Sequence, residues 1–220
     1  MAVTRIWASV TTLDLGRLVE VSQALQEAGV DGLHVDVSDG VFVPDLTFGY
    51  RVVRALTDRL SIPVEAHLMV VNPEEQLRAV SEAGASRASF HFESTAYPWR
   101  VACLGQSLGL EVGVAFNPAT PLGSVGYLRE GISFVDILTS EPDSRGERML
   151  PRMAARVAEA GINLGGDVVI EVDGGVSMSN IEELNGAGAS DFVVGRALID
   201  AEVLPTALTA LRVRASRDRH

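Results

Sequence analysis

Three short segments of this chain concentrate side chains that can move protons or hold a cation: His34-Val35-Asp36, Glu65-Ala66-His67-Leu68-Met69 and Glu171-Val172-Asp173-Gly174-Gly175. In each, polar and apolar residues alternate. Alternate residues of a β-strand share one face, so His34 points with Asp36 while Val35 and Val37 pack the other way, and the same rule turns His67 inward. Two imidazoles and two carboxylates from three strands make a donor set of two nitrogens and two oxygens. Such a set suits Zn²⁺, Fe²⁺, Mn²⁺ or Co²⁺, whereas Ca²⁺ and Mg²⁺ prefer all-oxygen shells. A lone inward histidine is more often a core residue than a ligand. Two of them beside two aspartates at strand ends favour a site.

The elements that must position these groups follow a βα rhythm. Strands are predicted at 4–9, 31–37, 64–69, 87–92, 111–116, 133–138, 168–173 and 190–195, most of them Val/Ile-rich or apolar runs of buried-strand length. Helical spacing recurs between them, as with Leu18, Val21 and Leu25, or Leu77 and Val80. Glu-Ala-Gly-Val-Asp (27–31) returns as Glu-Ala-Gly-Ala-Ser (82–86) and as Gly-Ala-Gly-Ala-Ser (186–190), each time a helix end before a strand start. Eight such units predict a single α/β domain, a closed (β/α)₈ TIM barrel over 1–211, with a basic tail over 212–220 expected to fray into solvent. An open doubly wound sheet would want a glycine-rich turn after its first strand, where this chain reads Ser-Val-Thr-Thr-Leu-Asp. In such a barrel chemistry sits at the C-terminal strand ends, and the first strand ends at Ser9.

Composition narrows the chemistry further. All 18 basic residues are arginine, against 29 acidic residues, for a net charge of −11. The absence of lysine removes Schiff-base aldolases, pyridoxal phosphate chemistry and lysine-based proton transfer. The acidic balance argues against nucleic acid or an anionic membrane as the main partner, since both are bound chiefly by a positive field. The expected ligand is a small molecule. The single cysteine, Cys103, allows no intramolecular disulfide, so a reducing compartment fits and cytoplasm is the expected location. Cys103 itself is expected to be a small buried hydrophobe, with Trp7 and Trp99 as packing residues. The first residues show no signal-peptide pattern, and no run of apolar residues is long enough to span a membrane.

In order and spacing from about residue 4 to residue 200, the chain resembles the ribulose-phosphate 3-epimerase family. The segments that carry the resemblance are Ala-Ser-Val-Thr-Thr-Leu-Asp (8–14), His-Val-Asp-Val-Ser-Asp-Gly-Val-Phe-Val-Pro-Asp-Leu-Thr-Phe-Gly (34–49), Ala-His-Leu-Met-Val (66–70), Asn-Pro-Ala-Thr-Pro (117–121) and Ile-Glu-Val-Asp-Gly-Gly (170–175). The resemblance implies one divalent metal per chain, held by His34, Asp36, His67 and Asp173. It implies that Asp36 and Asp173 double as acid and base on opposite faces of a ketose phosphate, inverting C3 through a metal-stabilised enediolate. Ser9, His67 and Met69 would contact the substrate. His91, in His-Phe-Glu (91–93), matches a similar motif and is expected behind the ligands or in the core.

The departures from the family pattern are local. Ser38 and Leu138 stand where the family has methionine. The Ser38 hydroxyl either bonds a substrate group or is satisfied locally. After strand six the family's proline and Gly-Phe-Gly-Gly, whose amides wrap the phosphate, are replaced by Glu141-Pro142-Asp143-Ser144-Arg145-Gly146-Glu147-Arg148, which keeps only Gly146 of that motif. Arg145 and Arg148 are candidate clamps, and Arg196, following Gly195, is a third. Amides of Gly174, Gly175, Gly195 and Arg196 offer a remaining phosphate site. Three readings follow. The first is a metal-dependent C3 epimerase of a ketose phosphate, with a different or unphosphorylated ketose as its variant. Related barrels that decarboxylate or condense sugar phosphates use an Asp-x-Lys-x-x-Asp pattern that a lysine-free chain lacks. The third is a non-catalytic sugar-phosphate or partner-binding relative. Exposed barrel ends lead to the expectation of a homo-oligomer.

Overall fold

A computed structural model describes residues 3–142, 148–165 and 168–216. Eight parallel strands close into a barrel in sequence order: β1 (Arg5–Ser9), β2 (Gly32–Ser38), β3 (Val64–Met69), β4 (Arg87–His91), β5 (Glu111–Phe116), β6 (Phe134–Leu138), β7 (Val169–Asp173) and β8 (Asp191–Val194). Every predicted strand is present, with each end displaced by no more than one residue. The helices are α1 (Leu18–Ala28), α2 (Tyr50–Thr57), α3 (Glu74–Glu82), α4 (Pro98–Ser107), α5 (Met153–Leu164), α6 (Ile181–Gly186), α7 (Arg196–Ile199) and α8 (Leu204–Ala215). They do not map one to each strand. β5 is followed by a 3₁₀ segment, Leu122–Gly131, in which Gly123, Gly126 and Gly131 weaken an α-helix, and β8 is followed by both α7 and α8.

Strand alternation sorts the side chains into two environments. The outward set, including Val35, Leu68, Phe90, Val114, Ile137 and Val172, is fully buried in the apolar core between barrel and helices. Burial of each such side chain contributes about 1.5–3 kcal/mol. The inward set is polar for most of its height. Parallel register aligns Ser9 with His34, Asp36 with His67, Ser38 with Met69 and Leu138 with Asp173. Neighbouring strands thus deliver the candidate residues to the C-terminal half of the barrel.

Below them the floor is filled by an arginine between two rings. The Arg87 guanidinium lies 4.5 Å from the Trp7 ring centre and 3.5 Å from that of Phe134. Glycines on the adjoining strands make room: a Cβ on Gly32 would sit 2.2 Å from the Trp7 ring, and one on Gly113 would sit 2.2 Å from that of Phe134.

Two expectations are corrected. The chain does not leave the barrel at 212, because Leu208, Leu211 and Ala215 of α8 face the core and Arg212 donates to Asp31 Oδ2 at 2.8 Å. Residues 217–220 lie outside the described part. Cys103 is exposed, because α4 turns Val101, Ala102 and Gly105 inward and leaves Cys103 on the opposite face. Among the described residues, no helix is long and apolar enough to cross a membrane.

Candidate active site

β2, β3 and β7 bring His34, Asp36, His67 and Asp173 together, with one donor atom of each within 4.8 Å of the others. Asp36 Oδ1 lies 3.2 Å from His34 Nε2 and 3.1 Å from His67 Nδ1. Asp173 Oδ2 lies 3.6 Å from each of the same two nitrogens. The two imidazoles thus turn different ring nitrogens to one point. Both rings are fully buried, while the side chains of Asp36 and Asp173 keep 12% and 22% of their exposure and open into a cavity of about 340 Å³.

The ligand-like side chains are held from outside. Thr11 Oγ1 donates to Asp36 Oδ2, leaving Oδ1 for the imidazoles. The Asp173 carbonyl accepts from Thr139 N at 2.6 Å and from Thr139 Oγ1 at 3.0 Å. Gly174 follows at φ +110°, where a Cβ would meet Ser140 Oγ at 2.4 Å, so the turn after Asp173 requires glycine. Behind His34, Glu65 Oε1 lies 3.6 Å from Nδ1. Behind His67, His91 Nε2 lies 2.9 Å from Nε2.

Charge in this upper tier is unevenly balanced. Among the described residues, the charged groups in ion-pair range of Asp36, Asp136 and Asp173 are histidines. Burial alone would lower the His34 pKa, but the charge and hydrogen bond of Asp36, with Asp173 and Glu65 behind, push it up to about 9. His67 is raised in the same way by hydrogen bonds to Asp173 and Asp36 and by the charge of Asp136. Asp36 is driven well below the usual carboxylate range: the two imidazoles overcome its burial. Asp136 is pushed up to about 7 by burial, and by Asp173 and Glu65, against the pull of His67 and His34. A pocket whose acids hold its imidazoles charged, with two nitrogens and two oxygens facing one point, fits a divalent cation.

Ser9, Met69 and Leu138 line the cavity, and so do Gly174, Gly175 and Gly195. Arg148 and Arg196 reach its outer end with exposed side chains, and Glu141 stands there too. Arg145 and Gly146 lie outside the described residues. Ser38 is drawn away from the site: its hydroxyl donates to Asp45 O at 2.8 Å and accepts from Thr47 N at 3.0 Å. It pins the loop after β2 and does not line the cavity. Asp39 has a similar task, accepting backbone N–H bonds from Val41, Phe42 and Val71, each at 2.8 Å.

Thr11, Asp136 and Thr139 went unnoticed in the sequence. Asp136 was within reach of the alternation rule, since it lies two residues before the inward Leu138. Nothing local marks Thr11, whose partner is 25 residues away.

Comparison with known proteins agrees with this geometry. The model of the ribulose-phosphate 3 epimerase family matches residues 5–199. Curated proteins named ribulose-phosphate 3-epimerase are similar throughout: that of Mycobacterium bovis is 34% identical over 94% of this chain and 91% of its own. That of Escherichia coli is 32% identical over 96% of both. Among solved structures, a 3-hexulose-6-phosphate synthase from Salmonella typhimurium superposes with a TM-score of 0.73 over 96% of this chain and 98% of its own. At 14% identity, that likeness concerns the fold.

Proposed function

Because this chain belongs to the ribulose-phosphate 3-epimerase family, we propose that it is a carbohydrate epimerase that inverts C3 of a ketose phosphate, with Asp36 and Asp173 as the proton-transferring pair. One observation carries the reading: the two side chains that open from the donor cluster into the cavity are those two aspartates. They approach from β2 and β7, separated around the barrel by β8 and β1. One can therefore remove a proton from one face of a bound ketose while the other returns a proton to the opposite face. His34, Asp36, His67 and Asp173 would hold one divalent ion, of the Zn²⁺, Fe²⁺, Mn²⁺ or Co²⁺ class, which when bound supplies Lewis-acid stabilisation of the charge that develops α to a carbonyl. Thr11 holds the orientation of Asp36, and the Thr139 bonds hold the strand end that carries Asp173. Ser9 is placed to bond the substrate, and Met69 and Leu138 supply apolar wall.

The reaction is tested by solvent deuterium. Label should enter C3 of a turned-over ketose phosphate, and Asp36→Asn or Asp173→Asn should abolish the exchange. Continued exchange in either variant rules out the two-aspartate pair.

A second reading concerns the substrate's far end, and Glu141 favours it. A carboxylate at the outer end of the cavity repels a phosphate dianion, so a free ketose deserves direct comparison with a phosphorylated one. Retained phosphate recognition would fall to the amides of Gly174, Gly175, Gly195 and Arg196 and to the Arg148 and Arg196 side chains. The single cysteine supports a cytoplasmic location, and the barrel ends support self-association. Sedimentation velocity reads the mass, and that of a single chain removes the homo-oligomer.

A further inference from the structure

We propose that His91 and Glu93, together with the Asn117–Pro121 loop that grips Glu93, form an outer brace that orients His67 for metal binding. The brace rests on the metal reading above, and it gives a task to two sequence motifs, His-x-Glu (91–93) and Asn-Pro-Ala-Thr-Pro (117–121), that the donor set leaves unused.

The argument follows the hydrogen atoms. His67 turns Nδ1 toward Asp36 and Asp173, at 3.1 and 3.6 Å. Its other nitrogen, Nε2, lies 2.9 Å from His91 Nε2. Two ring nitrogens at that distance share one proton. A ligating Nδ1 must keep its lone pair free, so Nε2 of His67 carries the proton and donates it, and His91 Nε2 accepts. Asp136 Oδ2 is a more distant alternative at 3.8 Å. His91 then carries its own proton on Nδ1, which lies 3.4 Å from Glu93 Oε2, within ion-pair range and short of a formed hydrogen bond.

Glu93 is fixed in turn. Its Oε1 accepts from Asn117 N at 2.9 Å and from Thr120 Oγ1. Arg156 closes the loop by donating Nη2 to the carbonyls of Asn117, at 2.9 Å, and Thr120. The Phe42 ring packs on His91 with centres 4.5 Å apart, and His91 is fully buried. Partners of this kind set ring orientation and ligand basicity, and their loss typically costs metal proteins about 10–100-fold in affinity.

The test is Zn²⁺ affinity of the full chain by chelator competition. His91→Leu, which keeps bulk and removes the acceptor, should bind about 10–100-fold more weakly than wild type. His91→Gln, whose amide oxygen can accept from His67, should recover most of that loss. Glu93→Gln and the more peripheral Thr120→Val should weaken binding progressively less. In ¹⁵N spectra of the Zn²⁺-loaded protein, Nε2 of His67 should be protonated and Nδ1 metal-bound. The brace is overturned if His91→Leu binds within about twofold of wild type, or if Nε2 of His67 lacks its proton. Should His91→Leu fail to fold, wild-type affinity in both Glu93→Gln and Thr120→Val overturns it equally. A wild-type chain that binds no Zn²⁺, Mn²⁺, Fe²⁺ or Co²⁺ removes the metal reading itself, a different result from tight binding that His91 does not affect.

Discussion

In the floor of the barrel, Arg87 sits 2.7 Å from Asp191, 3.0 Å from Glu171 and 3.1 Å from Glu65, and Arg5 adds a second contact to Asp191 at 2.7 Å. At the mouth, one tier higher, Asp36, Asp136 and Asp173 find imidazoles within ion-pair range among the described residues. Both tiers bury carboxylates, and burying a carboxylate is costly without a matched cation. The floor carries its cation in the sequence, as an arginine stacked between Trp7 and Phe134. This also accounts for a second cluster with metal-like spacing, His34 with Glu65 and Glu171: Arg87 already holds both glutamates. Among the described residues, the mouth carboxylates have only titratable groups within ion-pair range, and a tier of that composition is suited to a cation supplied from solution.

The largest effect should come from unbalancing the floor. Arg87→Met leaves three buried carboxylates without their shared partner and should cost about 3–5 kcal/mol in urea unfolding. A loss under about 1 kcal/mol would mean that Arg87 does not balance the tier. Next comes the mouth. Zn²⁺ or Mn²⁺ at a hundred times its dissociation constant should stabilise the chain by about 2.7 kcal/mol. Asp36→Asn should abolish that increment, while Asp191→Asn in the floor should lower the baseline and keep it. If the floor variant loses the increment too, the tiers are not independent.

The third effect is a pH dependence confined to the mouth. The His34 pKa is raised from 6.5 to about 9 in the folded, metal-free chain, so its protonation stabilises that form fully below 6.5 and is lost as pH rises through about 9. Metal must displace this proton. Affinity should therefore tighten by at least about tenfold per pH unit up to that value, as titration at several pH values would show. A flat profile between pH 6 and 8 would contradict the charged imidazole. The smallest effects belong to the rim: Arg148→Ala and Arg196→Ala, both exposed, should each raise KM for a phosphorylated ketose by roughly fivefold, about 1 kcal/mol, and leave Zn²⁺ affinity unchanged. If neither changes KM, phosphate is held by backbone amides or is absent from the substrate.

Where the sequence was legible, a periodic signal carried the information. Alternation in His34-Val35-Asp36 and Glu65-Ala66-His67 is a property of single strands, so inward and outward faces could be read before any fold was known. The same signal covers Asp136, two residues before the inward Leu138. Ser38 shows the limit of motif reading. Its place in the His-Val-Asp-Val-Ser-Asp segment leaves a substrate contact and a local bond equally open, and the loop folds back so that Asp45 and Thr47 consume the hydroxyl. Cys103 and residues 212–216 depart from expectation because helix phase on an amphipathic surface depends on what packs beneath.

By itself the sequence determined the eight-strand rhythm, the identity of the four metal-binding candidates and the exclusion of lysine chemistry, because each depends on residue type or on spacing within one element. Only the tertiary structure decided what stands behind those four. Barrel closure and parallel register set Thr11 on Asp36, His91 on His67 and Arg87 among the acids of three strands, pairs separated by 25, 24 and up to 104 residues. Contacts of that kind leave no trace in local spacing, since they exist only once distant strands lie side by side.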